Sequence, residues 1–272
     1  MSAQLPPIHA FTEDEARAVG RMLTTLVRVL RSVPGGGKLE EDYWSYVYHI
    51  VRGAPVPGWS NLPMRDYLHE GLGVEMKLLK HKSPSSAQGK RLMHPSATRK
   101  IEFDPSQAAD ICMSEVLGQF ASEISDFRRR VTQTSPTREP ELRWGILLWS
   151  PSLDQFLDYE EAMVEPDPNE FTAEFVESQH RGRTTRGLHI FEKATGAKRY
   201  SVTMPERGAK IQPYFDVPRL GEGAYTFDVP SEQLLPVWLD PATLEGLRAS
   251  SLVDDSGKLL PRALRALREV AR

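Results

Sequence analysis

Cysteine is almost absent: Cys112 is the only one in 272 residues. That excludes a disulfide framework and any multi-cysteine zinc site, and a lone thiol fits a reducing cytosol. Long apolar runs are missing too. The longest are Gly145–Trp149 and Met22–Leu30, the latter broken by Thr24, Thr25 and Arg28, far short of the ~18 residues that cross a bilayer. The first residues, MSAQLPPIHAFTEDEAR, lack a basic segment followed by an apolar one, so they do not form a signal peptide. These absences predict a cytoplasmic protein without membrane association. There is no G-x-x-x-x-G-K-[ST] run, so Pro34-Gly35-Gly36-Gly37-Lys38 reads as a helix terminator rather than an ATP site. A G-x-S-x-G nucleophile turn is also lacking.

What is present suffices for a core without staples, since hydrophobic residues make up 40% of the chain. Residues 12–33 read as a helix with Thr12 and Glu15 as a capping box and an apolar stripe from Val19 to Leu30. A second helix is expected over 39–52, followed by a rigid loop at Pro55, Pro57 and Gly58. Two short strands, Leu62–Leu68 and Gly73–Leu79, flank a turn at 69–73. Residues 81–100 read as a polar loop, and a helix is expected from Asp104-Pro105 to Arg130, with Ile111 on its apolar face. Leu142–Trp149 reads as a buried central strand, with Trp144, Trp149 and Phe156 as core. Residues 169–179 stay open between strand and helix. Four strands are expected at Gly187–Lys193, Lys198–Met204, Lys210–Val217 and Ala224–Val229, then helices at 231–249 and 261–271. The order predicts an α/β or α+β core of mixed strands flanked by helices, with a β-rich C-terminal region. The expected organisation is one domain over 1–272. Its parts are N-terminal helices (1–54), a core (55–150), a β-rich region (178–230) and C-terminal helices (231–272).

The net charge of −3 hides a segregation. Residues 76–100 carry seven cations and no acid: Lys77, Lys80, Lys82, Lys90, Arg91, Arg99 and Lys100. Residues 151–177 carry nine acids and no base, and 178–211 carry eight cations against Glu192 and Glu206. Basic segments interleaved with Ser, Thr, Gln and Gly suggest a face for a polyanion, because hydroxyls and amides also donate to phosphate.

The first basic segment begins inside a constellation. Glu75 and Lys77, two apart on an expected strand, share a face. Asp66 lies nine residues earlier, across a glycine-bearing turn that can bring it beside Glu75. Two carboxylates and an ammonium form a hard-oxygen site for Mg²⁺ next to a cation. Phosphodiester hydrolysis needs that set, to stabilise charge on the phosphate and to acidify or orient a water. The histidines His69, His81 and His94 lack metal-ligand spacing and read as loop residues near phosphate.

Asp66, Glu75-Met76-Lys77 and the preceding Pro63 resemble the active-site motif of the PD-(D/E)XK nuclease superfamily, home to most type II restriction endonucleases. The proline stands three residues before the aspartate instead of directly before it. The resemblance covers about 40–80. It implies a restriction-endonuclease-like fold, Mg²⁺ held by Asp66 and Glu75, and Lys77 acting on the attacking water. Members often add an acid from the preceding helix, for which Glu41 is preferred over Glu40. The implied partner is double-stranded DNA, met as a two-fold site by a homodimer. Expected DNA contacts are Lys80, Lys82, Ser83, Gln88, Lys90 and Arg91 in one segment, and Arg181, Arg183, Thr184, Arg186, Lys198 and Arg199 in the other. Arginine is the commonest reader of guanine. Two readings stay open beside this one: a non-catalytic DNA- or RNA-binding protein, and a repair or defence nuclease for structured or modified nucleic acid. The acidic 151–177 stretch could line a dimer contact or supply a further metal ligand.

Overall fold

The computed structural model describes residues 8–32, 38–55, 66–93, 101–180, 183–203 and 209–231, with Ser178, His180, Arg183 and Thr184 described by backbone alone. Several expectations lie outside these residues: the 34–37 terminator, Pro57, Gly58, Pro63, His94, Arg99, Lys100, Arg181 and the helices beyond 231.

Helix α1 (Glu13–Ser32) buries the stripe that the sequence predicts, Val19, Met22, Leu23, Leu26, Val27 and Leu30. Its capping box is formed: Thr12 N donates to the Glu15 carboxylate at 2.7 Å and Glu15 N to Thr12 Oγ1 at 3.3 Å. Helix α2 (Glu41–Val51) is aromatic and buried, with Tyr43, Trp44, Tyr46 and Tyr48 inside. Next comes a hairpin, β1 (Tyr67–His69) and β2 (Leu72–Lys80), closed by Glu70 and Gly71 at φ 48° and 80°. Two positive φ angles in a two-residue loop match the twist of antiparallel strands. The turn is therefore tighter than the 69–73 the sequence suggests.

The chain then builds two sheets and crosses between them. A 3-10 turn at Pro84–Ala87 and strand β3 (Arg91–Met93) occupy the segment expected to be a loop. Helix α3 (Ala109–Thr134) starts four residues later than expected. Asp104 accepts from Ser106 N and Oγ in a local turn instead of capping it, and Ile111 is 49% exposed. Strand β4 (Glu141–Trp149) is the buried central strand, parallel to β2 from Leu72↔Glu141 to Lys80↔Trp149. Strand β5 (Gln155–Ala162) follows. Four further strands are β6 (Phe171–His180), which settles the open segment, β7 (Arg183–Glu192), β8 (Lys198–Thr203) and β9 (Lys210–Asp216). Strand β10 (Tyr225–Asp228) returns to pair with β5.

The result is an α+β fold with one mixed sheet, β1-β2-β4-β5-β10, and one antiparallel sheet, β3-β9-β8-β7-β6. Helices α1 and α2 cover one face of the mixed sheet, packing on Val74, Met76, Leu147, Trp149 and Phe156. On the other face lie α3 and the second sheet, around Trp144, Ile146, Phe120, Tyr200 and Phe215. Gly73 lets α3 approach β2: a Cβ there would run into Val131 and come within 2.7 Å of the Phe127 ring. Among the described residues, no helix is long and apolar enough to cross a membrane.

The acidic stretch is mostly structure. Tyr48 donates to Glu160 at 2.5 Å and Arg143 donates to its other oxygen at 2.6 Å, in the core. Arg199 of the second sheet reaches Glu161 of the first at 2.5 Å and continues to Asp216 and Glu192. Asp158 is fully buried, and burial followed by the charge of Glu160 pushes its carboxyl well up.

Candidate active site

The hairpin and α2 converge on one point. Glu75 and Lys77 alternate onto the same side of β2 as Gly73 and Leu79, and both are buried, at 2% and 4% exposure. A lysine and a glutamate this deep persist only as partners: Lys77 Nζ donates to Glu75 Oε1 at 2.8 Å. The β1–β2 ladder ends at Tyr67↔Val74, so the next residue back, Asp66, lies beside the edge of β2. Its Oδ2 accepts from Met76 N at 2.7 Å, between the other two site residues. Glu41, in the first turn of α2, reaches Lys77 Nζ at 3.4 Å. Glu40 is the residue flanking that helix and pairs with Lys38 at 3.0 Å instead.

Electrostatics follow from this crowding. Burial and then the charge of Glu75 push the Asp66 carboxyl up to about 8, against the pull of Lys77 and of the Met76 amide. Glu41 is raised too, by burial first, with Lys77 opposing. For Lys77 burial favours the neutral amine, but the carboxylates of Glu75, Glu41 and Asp66 outweigh it and hold the ammonium above its ordinary value. Lys77 is thus a buried cation held among carboxylates. Glu75 Oε2 is buried with no hydrogen-bond partner, the kind of orphan that marks a missing ligand or water.

Serine 45 is a neighbour that sequence reading missed. Its hydroxyl donates to the backbone carbonyl of Asp66 at 2.8 Å. Glu41, Ser45 and His49 are four residues apart on α2, one face of the helix, and His49 packs on Tyr67 with ring centroids 4.8 Å apart. That spacing was the available signal.

The expected DNA contacts divide. Lys80, Lys82 and Lys90 are exposed, and none has an ion-pair partner among the described residues; Lys80 lies 5.3 Å from the Trp149 ring. Arg186 is exposed and stacks on Phe175 at 3.9 Å, and Lys198 lies over Tyr214 at 5.1 Å. Other candidates are occupied. Arg91 is bidentate to Asp216, with both contacts at 2.6 Å, and Arg199 is bound by the three carboxylates above. Gln88 accepts from Leu220 N at 2.9 Å, and the Ser83 backbone is tied to His81 and Ser86 in a turn.

Among the described residues no three His, Cys, Asp or Glu side chains converge as a metal-ligand group. The Lys77 ammonium sits between Glu75 and Glu41 instead. Comparison of the chain with protein-family models, with curated proteins and with solved structures finds no match in any of the three.

Proposed function

We propose that this chain is a Mg²⁺-dependent endonuclease of the PD-(D/E)XK type that acts on double-stranded DNA in the cytoplasm, a type II restriction enzyme cutting a short site as a homodimer. The observation that carries the reading is the buried Glu75–Lys77 pair with the half-buried carboxyls of Asp66 and Glu41 beside it. It lies at the start of a segment whose exposed lysines, Lys80, Lys82 and Lys90, are free for phosphate.

The donor set fits a hard, oxygen-seeking divalent ion: Asp66 and Glu75 would hold it, and the orphaned Glu75 Oε2 is an oxygen already stripped of other partners. Mg²⁺ bound there supplies charge stabilisation on the phosphate and acidifies a water. Holding it requires Asp66 to give up its proton and Lys77 to move off Glu75. Lys77 then neutralises the charge that develops on the phosphate oxygens, and Glu41 keeps the ammonium oriented. In the reaction, water adds to phosphorus in line as one P–O ester bond breaks. Lys80, Lys82 and Lys90 bind the backbone without reading sequence, and Arg186 offers a guanidinium to a groove.

The test is incubation with plasmid or phage DNA and Mg²⁺, followed by a gel and end sequencing. Discrete fragments lost in Asp66→Ala, with DNA binding kept, support the reading. A smear points to a nuclease for structured or nonspecific substrates. Intact DNA, or normal cutting by both Asp66→Ala and Lys77→Ala, refutes it.

A further inference from the structure

Helical serines and threonines usually return their hydroxyl to the carbonyl four residues back. In this chain Thr24, Thr25, Ser32, Ser114 and Thr132 all do so. Ser45 does not: its hydroxyl leaves the helix and donates to the Asp66 carbonyl, 21 residues away. The Ser45 carbonyl meanwhile accepts from His49 Nδ1 at 2.8 Å, and the His49 ring packs on Tyr67, the residue after Asp66. Asp66 precedes the ladder, so no strand pairing fixes its backbone among the described residues. Its carboxyl is held from β2 through Met76 N, and its carbonyl from α2 through Ser45.

We infer that Ser45 is a positioning residue for Asp66, which sets the direction in which the Asp66 carboxyl meets Glu75 and a divalent ion. The inference rests on the nuclease reading of this site. Glu41 and Ser45 then act as one rail: the first turn of α2 orients the ammonium and the next orients the first acid. Outer partners of metal ligands contribute about 10–100-fold in metal affinity when they are lost.

The experiment compares full-length wild type with Ser45→Ala, Ser45→Thr and Asp66→Ala. It measures Mn²⁺ affinity by the spectroscopic signal of free Mn²⁺, cleavage rate at saturating metal, DNA affinity in EDTA, and the urea midpoint. Ser45→Ala is expected to weaken Mn²⁺ binding by about 10–100-fold and to slow cleavage, with DNA affinity and urea midpoint close to wild type. Ser45→Thr, which keeps the hydroxyl, restores both. If Asp66→Ala loses Mn²⁺ binding and cleavage while Ser45→Ala keeps them, the positioning role is wrong and the nuclease reading stands. If Ser45→Ala lowers the urea midpoint and Ser45→Thr fails to rescue, the hydroxyl is only structural and the inference is overturned. If Asp66→Ala itself binds Mn²⁺ and cuts normally, the nuclease reading fails and this inference with it.

Discussion

Replacing Asp66 by asparagine should stabilise the metal-free protein and, on the nuclease reading, abolish cleavage of DNA. The folded chain raises the Asp66 carboxyl from 3.8 to about 8. Between those values the folded state holds a proton that the unfolded chain has released, so the group's contribution is full below about pH 4 and falls as pH rises to about 8. At about 1.4 kcal/mol per pKa unit, the loss reached by pH 7 is about 4 kcal/mol before any screening. Asp66 is half-buried beside an ammonium, and a polarisable, partly wet setting reduces that figure to about 2 kcal/mol. Asparagine keeps an oxygen to accept the Met76 N–H and carries no charge to strand. The measurement is urea unfolding of both proteins in EDTA at pH 5 and pH 8. The gap in favour of Asp66→Asn should widen by about 2 kcal/mol between the two, a midpoint change on the order of 1 M urea. The other raised acids away from the site, Asp158 and Glu161, are present in both proteins and cancel. Parallel pH profiles for the two proteins would refute the reasoning, because they would mean that Asp66 ionises freely in the fold.

Other perturbations probe other parts of the molecule. Arg143→Met leaves the fully covered Glu160 carboxylate without its cation and should cost about 3–5 kcal/mol in urea unfolding; an unchanged midpoint would show that the Tyr48 hydroxyl alone satisfies it. Gly73→Ala drives a methyl into Val131 and Phe127 and should lose about 1–3 kcal/mol. Gly118→Ala, on the open side of α3 with nothing within 4 Å, should gain about 0.5–1 kcal/mol; thermal unfolding of the pair checks both signs. Lys82→Ala and Lys90→Ala should each flatten the dependence of log K on log salt by about 0.9 in fluorescence anisotropy with duplex DNA. An unchanged slope for both would take the 80–90 segment off the phosphate path.

The parts that sequence made legible are local. Alternation along Gly73–Leu79 and a short glycine turn suffice to bring Asp66, Glu75 and Lys77 together, because both follow from backbone geometry within one short segment. The stripe of α1 and the apolar run of β4 are legible for the same reason. Strand β5 was hidden because Asp158, Glu160 and Glu161 interrupt any apolar pattern. Their burial depends on Tyr48, Arg143 and Arg199, which are distant in sequence. Arg91 and Arg199 looked like phosphate ligands on composition alone, and only the fold reveals the carboxylates that occupy them. The start of α3 misled because Asp-Pro serves a turn as well as a cap. Ser45 carried a helical spacing signal, but its partner, a backbone carbonyl, leaves no trace in residue type.

The order in which the chain visits its two sheets has an engineering consequence. It lays down β1 and β2 in the first sheet, β3 in the second, β4 and β5 in the first, β6 to β9 in the second, and β10 in the first again. No single cut in the polypeptide separates one sheet from the other, and α3 and the Arg199 pairs fill the seam between them. Neither sheet is a cassette that can be transplanted, and a graft would leave unsealed core on both sides. New behaviour in this scaffold has to be introduced residue by residue, on surfaces such as the exposed lysines of the 80–90 segment, with the interleaved core left intact.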